Sequence, residues 1–212
     1  MIKSKDRISS YGEVFTSDKE VQAMLGLVEE EAQRIDSRFL EPACGNGNFL
    51  ADILRRKLAI VEEKYKSSQY DFEIYAFQAV ASIYGIDLLE DNVSECRDRL
   101  AEIVKDRYQT LYRNISRLPF LECIEFVLSK NILWGDALTL LKPNLDEPII
   151  FTEWSFVNGP NVKRTEYTLN NLLAYQPMHG ENLFSDLGDE AFIPKPEKSH
   201  PIVHFMEITK DV

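Results

Sequence analysis

The sequence predicts an α/β fold with a doubly wound, mostly parallel sheet. Short apolar runs alternate with helical stripes of apolar residues, and the first run leads through a glycine-rich loop directly into a helix. Strands that alternate with helices in this way are typical of βαβ units, whose sheet is covered by helices on both faces. The 212 residues are 44% hydrophobic and 28% charged, which is typical of a globular protein. We therefore expect one domain over residues 1–212.

The elements follow one another with clear start and stop signals. A capping-box pattern at Ser17–Glu20 starts the first helical stripe. The predicted strands cover residues 38–42, 82–87, 131–136 and 148–152. Further helices are predicted to follow residue 49, to cover 71–81, to follow residue 89 and to lie near 120–128. Residues 157–212 read as an irregular C-terminal region, so that the sheet either lacks its last strands or completes them with residues 195–210.

Charge and composition exclude several classes of protein. The net charge of −11 makes the chain a poor binder of nucleic acid by itself, because phosphate contacts supply most non-specific affinity. No apolar run approaches the ~20 residues that span a bilayer, and the N-terminus lacks the apolar stretch of a secretory signal. The three cysteines, at unrelated spacings, are typical of reduced thiols in a cytoplasmic protein. No metal site is expected, because His200 and His204 lie on a strand-like pattern that separates them.

Three polar features come at the carboxyl ends of predicted strands, where open α/β sheets bind ligands. Gly45 and Gly47 lie in the first loop and allow a tight turn and a close approach of ligand to backbone. Asp87 could accept hydrogen bonds from both hydroxyls of a ribose, and Asp136 could accept one from an adenine amino group. Each has a plainer interpretation, as an ordinary strand-to-helix turn or as a helix N-cap. Their occurrence together and in order favours a nucleoside site.

A resemblance to a known family lies in residues 41–50, which read Glu-Pro-Ala-Cys-Gly-Asn-Gly-Asn-Phe-Leu. This segment resembles the S-adenosylmethionine loop of the DNA adenine methyltransferases of restriction-modification systems, with Asn46 where Thr or Ser is usual. Residues 12–16, Gly-Glu-Val-Phe-Thr, resemble the segment that precedes that loop. The resemblance covers about residues 8–156 and implies a Rossmann-like class I methyltransferase fold, with residues 1–16 capping the cofactor. The cofactor-binding residues implied by it are Phe15, Thr16, Glu41, Ala43, Gly45, Gly47, Asp87 and Asp136.

The catalytic residues of such an enzyme are harder to place in this sequence. The family flips the target base out of the duplex and holds its amine with an Asn/Asp-Pro-Pro-aromatic tetrapeptide, which is missing after the fourth predicted strand. Glu153 and Phe156 match its acidic and aromatic positions, and Asn158 precedes a proline by two residues. Glu153 could equally be an exposed strand end, and Phe156 a core residue. The candidate catalytic residues are therefore Glu153, Phe156 and Asn158.

Three functions are compatible with these residues. The first is a methyltransferase that acts on the exocyclic amine of adenine and meets DNA through a partner subunit. The second is a catalytically degenerate, cofactor-binding subunit of a heteromeric complex. The third is the same fold with RNA or protein as acceptor. A homo- or hetero-oligomer is expected, and Trp134 and Trp154 are either core residues or stacking partners for the adenine.

Overall fold

The computed structural model describes residue 7 and residues 18–113, 117–174 and 195–210. Its α-helices are α1 (Asp18–Leu27), α2 (Glu29–Ala32), α3 (Asn48–Tyr65), α4 (Gln69–Ala81), α5 (Glu90–Tyr112), α6 (Leu118–Asn131) and α7 (Leu169–Ala174). Its strands are β1 (Phe39–Glu41), β2 (Ile83–Asp87), β3 (Ile132–Trp134), β4 (Ile150–Val157), β5 (Asn161–Thr168) and β6 (Lys198–His204), and a 3-10 helix follows at Phe205–Glu207. The α/β composition predicted from the sequence is confirmed. Within the described ranges, no helix combines the length and the apolar character needed to cross a membrane.

The first three strands form a parallel sheet in chain order, β1-β2-β3. Phe39 pairs with Ile83 across β1 and β2, and Gly85 pairs with Ile132 across β2 and β3. Each crossover between them passes through two helices, α3 and α4 and then α5 and α6. The parallel part of the predicted sheet is therefore confirmed, and the carboxyl ends of its strands lie along one edge.

The crossover helices pack through apolar stripes at helical spacing. The fully buried apolar side chains of α3 are Leu50, Ala51, Ile53, Leu54, Leu58 and Val61. This three-to-four residue spacing places them on one face of the helix, directed at the sheet and its neighbouring helices. The start of α4 is fixed by Ser68, whose hydroxyl accepts a hydrogen bond from the backbone N–H of Asp71 at 3.3 Å.

The fourth apolar run does not continue the parallel sheet, and this part of the prediction is wrong. β4 instead belongs to a second, antiparallel sheet with the order β4-β5-β6. The turn between β4 and β5 contains Asn158 and Gly159, with φ of 52° and 78°. Three residues, Asn158, Gly159 and Pro160, separate the paired Val157 and Asn161. Asn and Gly are the residues that best tolerate the positive φ values of such a turn. β5 and β6 lie within residues 157–212, and a Rossmann-like arrangement does not follow from this topology.

Side chains of β2 alternate between two cores, as the two-residue period of a strand requires. On one face, Gly85 lies so close to Cys44 and Leu50 that a Cβ there would come within 2.9 Å of both side chains. On the other face, Tyr84 and Ile86 belong to a separate apolar cluster with Ile149, Phe151 and Leu169 of the second sheet and its flanks. The parallel sheet is thus covered by helices on one face and reached by the antiparallel sheet on the other.

One buried asparagine joins the two sheets. Asn131, at the end of α6, accepts a hydrogen bond from the indole N–H of Trp154 at 2.8 Å and donates to the carbonyl of Ile83 at 3.0 Å. β4 enters beside the carboxyl end of β3, where Ile149 fills the space next to Gly135. It then runs toward the amino ends of β1 and β2. The later residues of β4 therefore lie near the amino edge of the parallel sheet, away from its carboxyl edge.

Candidate functional site

The loop after β1 is built on two glycines in left-handed conformations. Gly45 has φ of 52° and Gly47 has φ of 83°, which L residues rarely adopt. The backbone N–H of Cys44 donates to the carbonyl of Ile86 at 2.9 Å and so ties the loop to β2. A Cβ at Gly47 would lie 2.6 Å from Sγ of Cys96 in α5. The loop therefore needs glycine at position 47 for its backbone conformation and for packing.

Asp87, at the end of β2, binds this loop directly. Its Oδ2 accepts a hydrogen bond from the backbone N–H of Gly45 at 2.8 Å. Its Oδ1 accepts from the N–H of Leu89 at 2.9 Å and from Nδ2 of Asn92 at 3.2 Å, and so orders the entry to α5. A carboxylate offers about four acceptor positions, so these three bonds leave room for about one ribose hydroxyl rather than two.

Asp136 follows β3 at the same edge of the sheet. The backbone N–H of Gly135 donates to the carbonyl of Asp87 at 3.0 Å, which places the ends of β2 and β3 side by side. Oδ1 of Asp136 accepts from the N–H groups of Leu138 at 2.8 Å and Thr139 at 3.4 Å. Among the described residues no hydrogen bond reaches its Oδ2. The structure thus brings together the glycine loop and both acids, and one oxygen of Asp136 takes no hydrogen bond from the described residues.

The remaining loop residues have shifted ionisation. Burial raises the pKa of Glu41, and the backbone N–H of Ala43 partly offsets this effect. A hydrogen bond with Cys96 and burial both raise the pKa of the Cys44 thiol. A thiol held neutral in this way is a poor nucleophile, so Cys44 acts as a packing residue of the loop.

The predicted methionine-binding residues, Phe15 and Thr16, lie outside the described residues, as do residues 12–14. Arg7 is described, and its Nη1 forms an ion pair with Asp91 of α5 at 2.5 Å. Its Nη2 also donates to the side-chain oxygen of Asn92 at 3.3 Å, and Asn92 itself contacts Asp87. An N-terminal residue is therefore attached next to the acid that orders the glycine loop.

The candidate catalytic residues lie elsewhere. Oε1 of Glu153 forms an ion pair at 2.9 Å with Nη2 of Arg38, which immediately precedes β1 and thus lies at the amino edge of the sheet. Phe156 packs edge-on against Phe77 of α4, with ring centroids 5.8 Å apart. Asn158 forms the hairpin turn between β4 and β5. The structure does not bring these three residues to the edge that holds the glycine loop.

A polar cluster on the second sheet was not anticipated from the sequence. Arg164 and Glu166 lie on the same face of β5, and both bind His200 of β6. The signal that could have revealed them is the Asn158–Gly159 turn, which predicts a hairpin and therefore a strand over the polar residues that follow. Across the described parts of the chain, no group of three or more His, Cys, Asp or Glu side chains could hold a metal ion.

Comparisons with known proteins give no match. No family model matches the chain, and neither a curated protein nor a solved structure is significantly similar to it. Its function is therefore inferred from the geometry of the site and from the resemblance of its loop.

Proposed function

We propose that this protein binds S-adenosylmethionine at the carboxyl edge of β1-β2-β3 and is related in function to the DNA adenine methyltransferases of restriction-modification systems. The observation that carries the proposal is the 2.8 Å bond between Gly45 and Asp87, which joins a left-handed glycine loop to the acid of the next strand. Asp136 lies beside it at the same edge. A glycine-rich loop after the first strand and an acid that bonds the ribose are the parts of known nucleotide sites at such an edge. Asp136 adds an acceptor for the base.

Each group at this edge has a role in the proposed complex. The remaining acceptor position of Asp87 binds a ribose hydroxyl, and Oδ2 of Asp136 accepts the amino group of the adenine. Glu41, Ala43, Gly45 and Gly47 contact the cofactor along the loop, and Phe15 and Thr16 contact its methionine end, as the resemblance implies. When bound, S-adenosylmethionine supplies an electrophilic methyl group on its sulfonium centre.

One observation favours a cofactor-binding subunit of a heteromeric complex over an autonomous methyltransferase. Methylation of an adenine amine requires an acceptor beside the methyl group, and Glu153 is engaged with Arg38 at the opposite edge. Asn158 is held in a hairpin turn. With a net charge of −11, DNA would also have to be held by a basic partner subunit. In an active complex, the acceptor residue and the DNA surface would then come from that partner.

Calorimetric titration with S-adenosylmethionine tests the cofactor site. Asp136→Asn retains Oδ1, which orders the following turn, but replaces Oδ2 with a donor that faces the adenine amine. We expect at least tenfold weaker binding, equivalent to about 1.4 kcal/mol. Glu153→Gln is the matched control, because this carboxylate lies at the other edge, and its binding should equal that of the wild type. Failure of the folded wild type to bind, or unchanged binding by Asp136→Asn, would refute the proposed site.

Methyl transfer tests the choice between the two functions. Purified chain and labelled S-adenosylmethionine are incubated with adenine-containing duplex DNA. We expect no incorporation of label by this chain alone. Efficient labelling of the DNA that is lost in Glu153→Gln would show that the chain is itself the methyltransferase and that Glu153 reaches the cofactor edge.

A further inference from the structure

A pocket separate from the glycine loop lies along the edge of β3, beside the end of α6 and strands β4 and β5. Its volume is about 300 Å³, and its polar lining comes from Ser129, Lys130, Trp134, Lys142, Thr152 and Glu166. Among the described residues β3 is an edge strand of the parallel sheet, and Nε of Arg97 donates to the carbonyl of Ile132 at 2.9 Å. None of the residues that line the pocket belongs to the glycine loop, and neither Asp87 nor Asp136 contributes to it.

The carboxylate of Glu166 is held in one position by a buried cluster. Nε2 of His200 lies 3.1 Å from Oε1 of Glu166, and Nδ1 of His200 lies 2.8 Å from Nη2 of Arg164. Arg164 and His200 are only 7% and 8% exposed. Because an arginine can only donate, His200 accepts at Nδ1 and donates its Nε2–H to Glu166. Burial and the adjacent Arg164 lower the pKa of His200, which keeps it neutral in this role.

Cationic and aromatic groups complete the pocket. Lys142 is paired with Glu147 at 2.7 Å on the exposed rim, and an exposed pair of this kind contributes only about 0–1 kcal/mol. Its ammonium group can therefore turn to a ligand anion at little cost. Lys130 supplies a second cation, whose Nζ lies 5.5 Å from the centroid of the Phe126 ring. The indole N–H of Trp134 donates to the carbonyl of Leu88 at 3.0 Å, which fixes the orientation of a ring that can stack on a base.

We propose that this pocket binds a free purine nucleoside monophosphate whose base carries an amino group. The phosphate is bound by Lys130 and Lys142, the base stacks on Trp134, and the exocyclic amine donates a hydrogen bond to Glu166. A volume of about 300 Å³ is at the small end of ligand pockets, which suits a mononucleotide. The chain's net charge of −11 disfavours a nucleic-acid strand as the occupant. The proposal does not depend on cofactor binding at the glycine loop.

The test compares adenosine 5′-monophosphate with inosine 5′-monophosphate by calorimetric titration of the full chain. The two differ in that inosine presents a carbonyl oxygen where adenosine presents the amine, and this oxygen would face the carboxylate of Glu166. We expect adenosine monophosphate to bind about tenfold or more tightly than inosine monophosphate, since a hydrogen bond to a charged group is lost. Glu166→Gln should bring the two affinities close together, because an amide can both donate and accept.

Further ligands and variants assign the other contacts. Adenosine and inorganic phosphate should each bind at least tenfold more weakly than the monophosphate, and Lys130→Met should weaken the monophosphate but not adenosine. Lys105→Gln is the matched control, since Lys105 is paired with Glu102 on an exposed face of α5, and it should leave binding unchanged. Circular dichroism and thermal unfolding confirm that each variant is folded.

Several results would overturn the proposal. Equal affinity for the two monophosphates in the wild type would remove the role of Glu166, and inorganic phosphate binding as tightly as adenosine monophosphate would indicate a simple anion site. Loss of monophosphate binding in Asp136→Asn, with retention in Glu166→Gln, would place the ligand at the glycine loop instead. A single-stranded oligoadenylate that binds more tightly than the free nucleotide would indicate a nucleic-acid site. Absence of adenosine monophosphate binding by the folded wild type would refute the proposed nucleotide site.

Discussion

Replacing Gly47 with alanine should destabilise the fold by about 2–5 kcal/mol. Two separate costs contribute. The residue has φ of 83°, and the left-handed conformation costs an L residue about 1–2 kcal/mol. The new Cβ would also lie 2.6 Å from Sγ of Cys96, which is fully buried, and overpacking of a core typically costs about 1–3 kcal/mol.

Two other glycines separate these costs. Gly159 has a similar φ of 78°, but nothing lies within 4 Å of where its Cβ would be, so Gly159→Ala should show only the backbone cost of about 1–2 kcal/mol. Gly26 lies in α1 with open space around it and without a positive φ, so Gly26→Ala should be stabilising by about 0.5–1 kcal/mol. Cys96→Ala removes the clashing sulfur and leaves the Cβ of residue 96 at 3.3 Å, so in that background the cost of Gly47→Ala should fall close to that of Gly159→Ala.

The assay is equilibrium unfolding in urea, with the free energy extrapolated to water for each single and double variant. The clash between the new Cβ and Sγ of Cys96 predicts a favourable coupling energy of about 1 kcal/mol or more between the substitutions at positions 47 and 96. If Gly47→Ala is no more destabilising than Gly159→Ala, or if Cys96→Ala does not relieve it, the packing account of this loop is wrong. The same variants can be titrated with S-adenosylmethionine to ask whether the proposed site requires the intact loop.

Three further predictions concern buried and exposed polar groups. Burial lowers the pKa of Lys57 from its ordinary 10.5 to about 7, so the unfolded chain binds more protons between those values and stability should rise with pH across that window. At about 1.4 kcal/mol per pH unit, the free energy of unfolding should rise by up to about 5 kcal/mol over this window. Urea unfolding at several pH values should show this rise in the wild type and a much flatter dependence in Lys57→Met. Asn131→Ala should cost about 2–4 kcal/mol, because it strands the Trp154 indole N–H and a buried carbonyl, and its effect should be less than additive with Trp154→Phe. Glu153→Gln should cost under about 1 kcal/mol, since its partner Arg38 is 60% exposed, and high salt should reduce the difference further in the same unfolding assay.

Local sequence patterns were sufficient to predict the parallel sheet and the carboxyl edge at which its strands end. The apolar runs near residues 39, 83 and 132 are each bounded by turn signals and helical stripes, so their order and direction follow from the chirality and compactness of βαβ units. The proximity of Gly45, Asp87 and Asp136 then follows, because the carboxyl ends of parallel strands meet at one edge. The competition for Asp87 by backbone donors could not be foreseen, since it depends on loop geometry at the ångström scale.

The second sheet could not be predicted from the same signals. Residues 161–168 are mostly polar and lack an apolar run, yet they form β5 because β4 and β6 pair with them on both sides. Tertiary context decides strand formation in such a segment more than intrinsic propensity does. The Asn158–Gly159 dipeptide is a usable hairpin signal, whereas the resemblance favours Asn158 as a candidate catalytic residue. The expectation that residues 148–152 continue the parallel sheet comes instead from the alternation of strands and helices, and the structure places them at the start of the antiparallel sheet, with Glu153 beside Arg38.

The Asn158–Gly159 turn also sets an order of events for folding. A hairpin closed by a three-residue turn forms in about 1–10 μs, because little chain must be ordered before its first cross-strand bonds appear. β1 must instead find β2 across both α3 and α4, and non-local pairing of this kind slows folding because the loop entropy is lost before contacts compensate. The β4–β5 hairpin is therefore expected to form early, as a local unit with one apolar face exposed. The bond from Trp154 to Asn131 can form only once α6 is in place, so docking of the hairpin is expected to wait for the slower, helical half of the chain.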